Sequence, residues 1–475
     1  MRRYFTRKNK IMKTQLLLIS ILILTIFGCT PKQPTDPIII DETNKTESIE
    51  QTIRIDSVWA GHPVGFCLYT HENRQYITYY NANRNMVVGQ RNLDEEEFEL
   101  HIIPPTTRNE AGGTSTVLGW DSHNFVTIGI DKEGFIHLSG NVHVHPITYF
   151  RSTEANDIST LEQVFEMVGT EEKRTTYPHF MLTKEGELLY HYRDGGSGNG
   201  NEIYNVYSCE TKSWSRMLDV PLTDGQGLMN AYQTQPAIMK DGWYHMYWVW
   251  RDTPDCSTNH DLSYMKSPDL KRWYNAFGEE FELPATLDKK LLIVDPIPPK
   301  GGIINLAAKL VLDEQNNPVF AYHKYDSIGN IQFYTAQIQN EKWIYKQVTD
   351  WDYRWVFEGN GSINSEVRIK GFNKRDENYE IDFWHIKYGN GTILLNNKFE
   401  AIGKVLKPDP FGTDLEIEGD FPGLLIQTSG DIGKTEDENF RYILKWETIN
   451  RNRDRPRQKP WPGPNQLYLY KLEKQ

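Results

Sequence analysis

The chain has 475 residues, of which 38% are hydrophobic, 12% aromatic and 24% charged. That is enough apolar side chain for a large core, and it excludes a disordered or collagen-like polymer. A formal charge of −12 excludes generic nucleic-acid binding, which needs a basic surface.

The first element predicted is a leader. Arg2, Arg3, Arg7, Lys8, Lys10 and Lys13 precede an apolar run from Leu16 to Phe27 that is broken only by Ser20 and Thr25. This order of basic and apolar regions predicts a signal peptide over residues 1–28, and the run is shorter than the ~20 residues a permanent span requires. Ile26-Phe27-Gly28-Cys29 resembles a bacterial lipobox, which implies lipidation of Cys29 and anchoring to a bacterial membrane, at the cell surface or in the periplasm. Residues 29–50 are rich in Pro, Thr, Asp and Glu and are expected to form a flexible tether. Residues 51–475 are then one large all-β unit, expected to be monomeric.

With Cys29 lipidated, three cysteines remain, Cys67, Cys209 and Cys256, an odd number that argues against a disulfide framework. Cys256 and His260 have a Cys-x3-His spacing that could supply two ligands of a structural zinc. A buried thiol beside a hydrogen-bonding histidine is the plainer alternative.

No long stretch has an apolar period of 3.6, whereas short runs rich in Tyr, Trp, Val and Ile recur between turn signals. Strands are predicted over residues 136–144, 188–192, 243–250, 319–325 and 381–386. Similar turns precede three of them: Asp131-Lys132-Glu133-Gly134, Lys184-Glu185-Gly186 and Lys240-Asp241-Gly242. Their glycines lie roughly 50–60 residues apart, a spacing suited to the blades of a β-propeller with long loops. Several strands end in charged or imidazole side chains: His143 and His145, Arg193, Arg251 and His323. Every second residue of a strand faces the same way, so His143 and His145 are expected to share a face and the endings to converge on one mouth.

Gly119-Trp120-Asp121-Ser122-His123-Asn124, Ser139-Gly140-Asn141-Val142-His143, Thr176-Tyr177-Pro178, the stretch Tyr192-Arg193-Asp194-Gly195-Gly196-Ser197-Gly198-Asn199-Gly200, and Trp248-Val249-Trp250-Arg251 together resemble one family. It is the BNR-repeat-like propeller family that includes seven-bladed ulvan lyases and a related ulvan oligosaccharide dehydratase. Ser267-Pro268-Asp269-Leu270-Lys271-Arg272-Trp273 looks like a degenerate Asp box, a turn of sialidase-type blades. The resemblance implies a seven-bladed β-propeller and β-elimination at uronic acid residues of a sulfated polyanion, with two histidines, a tyrosine and an arginine. Carried onto this sequence, those are His123, His143, Tyr177 and Arg193, with His145 the alternative to His143; Asn124 and His145, together with Arg251 and His323 from the strand endings, are the substrate-binding candidates. No cofactor is required for catalysis.

Elimination removes a weakly acidic proton beside a carboxylate, so it needs a cation to neutralise that carboxylate, a base, and an acid for the leaving oxygen. The planar fork of Arg193 suits the first role. His123 and Tyr177 are base and acid in an order the sequence leaves open, and His143 binds or polarises the uronate. Tyr177 precedes a proline, which predicts extended backbone there. The basic run from Arg451 to Arg457 is read as structural closure. The leaving group is either the next sugar, in a polysaccharide lyase, or water, in an oligosaccharide dehydratase. A sialidase-type glycoside hydrolase and a non-catalytic glycan-binding lipoprotein are the alternatives from other classes.

Overall fold

The computed structural model describes residues 37–43, 47–408, 415–433, 437 and 439–473. The expected signal peptide and the lipidation site Cys29 lie outside the described residues. Within them the fold is all-β: helical structure is confined to three 3-10 turns of three residues each.

The described strands form seven sheets in chain order. The first contains Cys67–His71, Arg74–Tyr80, Met86–Asn92 and Glu99–Ile102, each paired antiparallel with the next. Consecutive sheets are built mainly from such meanders, and the strand Cys67–His71 packs beside Leu425–Gly430 of the seventh sheet. There Ser429 Oγ donates to the Phe66 carbonyl at 2.9 Å and the Thr70 amide donates to Asp431 at 2.8 Å, so the first sheet meets the last. The arrangement is propeller-like. The seventh sheet is closed by an early strand, where Ser48–Val58 pairs with Asn465–Glu473.

Packing explains the composition of the strands. A sheet open to water on one face alternates apolar with polar residues, yet Arg74–Tyr80, Leu188–Gly196 and Tyr244–Arg251 are buried along almost their whole length. Each is covered on both faces by neighbouring sheets, and large aromatics such as Trp248, Trp250, Tyr190 and Tyr192 fill the space between. The Asp-box-like segment is a fold turn: Asp269 Oδ1 accepts the amides of Lys271 and Arg272, and the Trp273 indole N–H donates to the Leu270 carbonyl at 3.1 Å.

Two boundaries differ from expectation. Ile38–Asp41, in the stretch read as a tether, is a strand paired in parallel with Ala401–Leu406, and Ser48–Glu50 already belong to the closing strand. A β-prone Ile-Ile-Ile run satisfies the free backbone groups of a sheet edge, and Arg375 holds Glu42 just beyond it through two hydrogen bonds of 2.9 and 3.1 Å. The strand predicted over 136–144 is broken. It ends at Gly140, and His143–His145 joins the following sheet instead. Asn141 causes the break: it is left-handed, at φ +54°, and its Nδ2 is tied to the Ser115 and Val117 carbonyls.

Burial depresses the imidazoles of His179 and His191 to about 3 and that of His323 to about 4. Each is held neutral in the fold but takes up a proton near pH 6.5 when unfolded. Stability from these groups is therefore fully present above about pH 6.5 and is lost as pH falls towards 3. Melting temperature followed from pH 7 to pH 4 is expected to fall steeply, and His191→Gln should flatten that fall.

Candidate functional site

The break at Asn141 builds the first half of the site. Because the chain crosses to the next sheet there, His143 pairs in register with Thr176, one residue from Tyr177. Val144 is also left-handed, at φ +59°, which is unusual for a β-branched residue. The alternation of side chains does not run through such a residue, so His143 and His145 part company. His143 turns to His123, their ring centroids 4.3 Å apart, while His145 Nδ1 bonds the His143 carbonyl.

Asp121 lies beneath both imidazoles. Its Oδ1 is 2.7 Å from His123 Nδ1 and its Oδ2 is 2.5 Å from His143 Nδ1. Burial pushes the Asp121 carboxyl up, but the hydrogen bonds and charges of the two histidines outweigh it and hold it far below the usual carboxylate range. An ionised carboxylate only accepts, so both Nδ1 atoms donate, and the tautomer this selects carries its lone pair on Nε2. Asp454, from the C-terminal basic run, supports the same loop. It accepts from Ser122 Oγ at 2.7 Å and from the Ser362 amide at 2.6 Å, and it lies 3.4 Å from His123 Nδ1. Arg453 of that run donates to the Glu358 and Asn360 carbonyls, so the segment clamps neighbouring loops together.

Among the described residues, Asp121, His123 and His143 are the group with the spacing to hold a metal ion, their ligand atoms within 4.8 Å of one another. Those atoms are already engaged with each other. Asp121→Asn is expected to lower turnover by about 10²-fold or more, because an amide also donates and leaves the histidine tautomers unfixed. A changed pH–rate profile with KM largely preserved would separate this positioning role from a merely structural one.

The second half of the site centres on Arg193. The side chain is 2% exposed, and its Nε, Nη1 and Nη2 atoms are buried without a hydrogen-bond partner. Its guanidinium carbon lies 5.0 Å from the Tyr177 ring centroid and 5.8 Å from that of Tyr232. Those rings offset part of the cost of burying the charge, but they cannot replace an anion. Gly200 leaves room for it: a Cβ there would meet Arg193 Cδ at 2.6 Å.

Glu202 stands opposite Arg193 in register and is spent elsewhere, 2.8 Å from His191 Nδ1. Burial raises its carboxyl to about 8 against the opposing pull of Arg193, so at neutral pH it is largely protonated and leaves the arginine's charge uncompensated.

Tyr177 is not extended. It is left-handed, at φ +56°, at a bulge where the register shifts between Thr176 and His179. A proline disfavours the helical region for its predecessor, but the bulge overrides that preference and re-aims the phenol. The ring lies 5.8 Å from His123 and 6.2 Å from Tyr232. Burial, aided by the Tyr232 charge, pushes the Tyr177 hydroxyl well above its ordinary value, so it carries its proton at neutral pH.

Sequence reasoning missed Tyr232. Its hydroxyl lies 2.6 Å from Ser197 Oγ, and Arg251 sits 4.8 Å over its ring. Burial pushes this phenol up, yet Arg193 and Arg251 outweigh burial and draw it below its ordinary value. Asp121 and Asp454 were also unassigned. Asp121 stood in the same motif as His123 and Asp454 in the C-terminal basic run, which were usable signals, whereas Tyr232 carried none.

The structure therefore brings His123, His143, Tyr177, Arg193 and Arg251 to one place. Asn124 adjoins it, with its Oδ1 buried and unpartnered. His323 does not belong: it is 1% exposed, bonds the Gly302 carbonyl at 2.8 Å and packs on Trp355. The zinc pair is likewise not assembled. Both ring nitrogens of His260 are occupied, by Asp261 at 2.7 Å and Asp252 at 3.0 Å, while Cys256 is buried in an apolar cluster.

A profile described as "BNR repeat-containing family member" matches residues 74–351, more than half of the chain. The chain belongs to this family. It is 37% identical over 210 residues to an ulvan lyase, long isoform, of Glaciecola sp. (strain KUL10), covering 35% of this chain and 20% of that protein. It is 25% identical over 143 residues to an ulvan lyase, short isoform, of Alteromonas sp. (strain LOR), covering 26% of this chain and 25% of that one. The matched stretches thus span a quarter or less of these relatives. Among solved structures, polysaccharide lyase Uly1 is similar with a TM-score of 0.61 at 13% identity, covering 90% of this chain and all of that one. An ulvan lyase of family PL25 bound to -[GlcA(1-4)Rha3S]- is similar with a TM-score of 0.55 at 14% identity, covering 88% and 95%.

Proposed function

We propose that this protein is a carbon–oxygen lyase that performs β-elimination at uronic acid residues of an ulvan-like sulfated polysaccharide or its oligosaccharides. The observation that carries the reading is Arg193, a buried cation with three unpartnered nitrogens that stands beside a histidine pair and a protonated phenol. The similarity to ulvan lyases supports the same chemistry.

In this reading the uronate carboxylate pairs with Arg193 beside the Tyr177 and Tyr232 rings, and Arg251 adds to the positive field. Neutralising the carboxylate acidifies the adjacent C–H. His123 takes that proton on Nε2, with Asp121 fixing the tautomer, and His143 binds the uronate. The electron pair forms a C=C bond as the neighbouring C–O bond breaks, and Tyr177 protonates the departing oxygen. That oxygen belongs to the next sugar in a polysaccharide lyase. A dehydratase, which would expel the terminal uronate's own hydroxyl as water, starts from the same proton abstraction. The seven sheets are proposed to be the seven blades of the propeller, acting as a monomer, and Cys29 to be lipidated, tethering the protein to a bacterial membrane.

The test is incubation with ulvan and with short uronate-terminated fragments, following ultraviolet absorbance and product mass. Rising absorbance with fragments whose summed mass is unchanged is the expected lyase result. Loss of one water from an intact oligomer would make it a dehydratase, and gain of water without absorbance would overturn elimination in favour of hydrolysis.

A further inference from the structure

An aromatic cluster that the reaction does not use adjoins the histidine loop through Trp120, the residue before Asp121. The Trp120 ring lies 5.4 Å from Trp59 and 5.3 Å from Trp461, all edge to face. Gly61 is what lets the Trp59 indole fold back on the chain, since a Cβ there would meet that ring at 2.1 Å. Arg84 lies face-on to both indoles, 3.6 Å from the Trp59 centroid and 4.7 Å from that of Trp120.

Two features of the cluster await a partner. The Arg84 guanidinium makes no ion pair or hydrogen bond among the described residues, and unlike that of Arg193 its nitrogens are not sealed from solvent. Trp120 and Trp461 are likewise partly exposed. Beneath them, the Trp59 indole N–H donates to His62 Nδ1 at 2.9 Å. An indole only donates, so the neutral His62 carries its proton on Nε2, and that buried N–H has no acceptor. A cation without an anion, a donor without an acceptor and half-open indoles together match a charged sugar, whose apolar face stacks on aromatics while its oxyanion meets the guanidinium fork.

We propose that the Trp59–Arg84–Trp120–Trp461 cluster is a second binding subsite that takes a sulfate ester on the sugar next to the reacting uronate. The assignment rests on the elimination reading above, in which Arg193 already holds the carboxylate and leaves the sulfate as the anion to be placed.

Binding is measured by calorimetry in a Tyr177→Phe background, with ulvan oligosaccharides of one length, sulfated and chemically desulfated. The unmodified cluster should bind the sulfated ligand about tenfold more tightly. Arg84→Gln should abolish that preference while changing the desulfated affinity less than twofold. Because Arg84 also caps Trp59, melting temperatures accompany each titration. Trp461→Ala, at the open edge, is the independent variant: it should weaken both ligands about fivefold and keep the sulfate preference. A preference that survives Arg84→Gln, an equal weakening of both ligands by it, or binding indifferent to Trp461→Ala would overturn the subsite. Absence of an unsaturated product from the wild-type protein would refute the elimination, and these titrations would still be scored on their own.

Discussion

Arg193→Gln is expected to lower kcat/KM on a uronate oligosaccharide by about 10²–10³-fold, the range seen when a preorganised stabiliser of developing charge is removed, and at the same time to raise the melting temperature. The two effects have one cause. In the free protein Arg193 is a buried charge faced by two phenol rings and by a carboxyl, Glu202, whose pKa of about 8 keeps it largely protonated. An uncompensated buried cation destabilises the fold, and that same lack of compensation lets it bind a carboxylate strongly. Glutamine removes the charge and retains hydrogen-bonding capacity. Calorimetry of the unliganded variant alongside initial rates checks both signs, and a variant that lost activity and stability together would point to a structural arginine.

Removing the proton-transfer groups is the second large effect. His123→Ala and Tyr177→Phe are each expected to reduce turnover by about 10²–10⁴-fold with ligand binding largely preserved, and the double variant should be little worse than the poorer single one, because the two act as a unit. Tyr177→Phe is the sharper test. It deletes one hydroxyl from a ring whose position is set by the left-handed bulge at Thr176–His179, so the ring keeps its contacts with His123 and Arg193. Steady-state kinetics with product detection by ultraviolet absorbance measures the loss. Turnover within a few-fold of wild type in either variant would remove that residue from the mechanism.

Much of this was legible in the chain itself. Short aromatic runs punctuated by glycine turns reveal strands, because a blade buried on both faces needs large apolar side chains and its hairpins need residues that tolerate positive φ. The motifs around His123, His143, Tyr177 and Arg193 mark the site through their resemblance to the propeller family, and the proposed elimination calls for those functional groups together. Among the described residues Cys67, Cys209 and Cys256 are free, as the odd count led one to expect of a fold held by its core.

Tertiary structure alone decided the rest, since it depends on residues distant in sequence or on backbone that departs from its regular period. His143 separates from His145 because Asn141 and Val144 are left-handed, which periodicity cannot foresee. His323 looked like a channel residue at a strand end, but loop packing around Gly302 and Trp355 buries it. Asp454 reaches His123 across more than 300 residues, and Tyr232, whose own sheet carries Arg251, meets Arg193 only because separate sheets converge. Local pattern specifies which elements form, through propensity and alternation. Which charges are left without partners is settled only when the sheets pack, because burial and pairing are properties of the assembled interior.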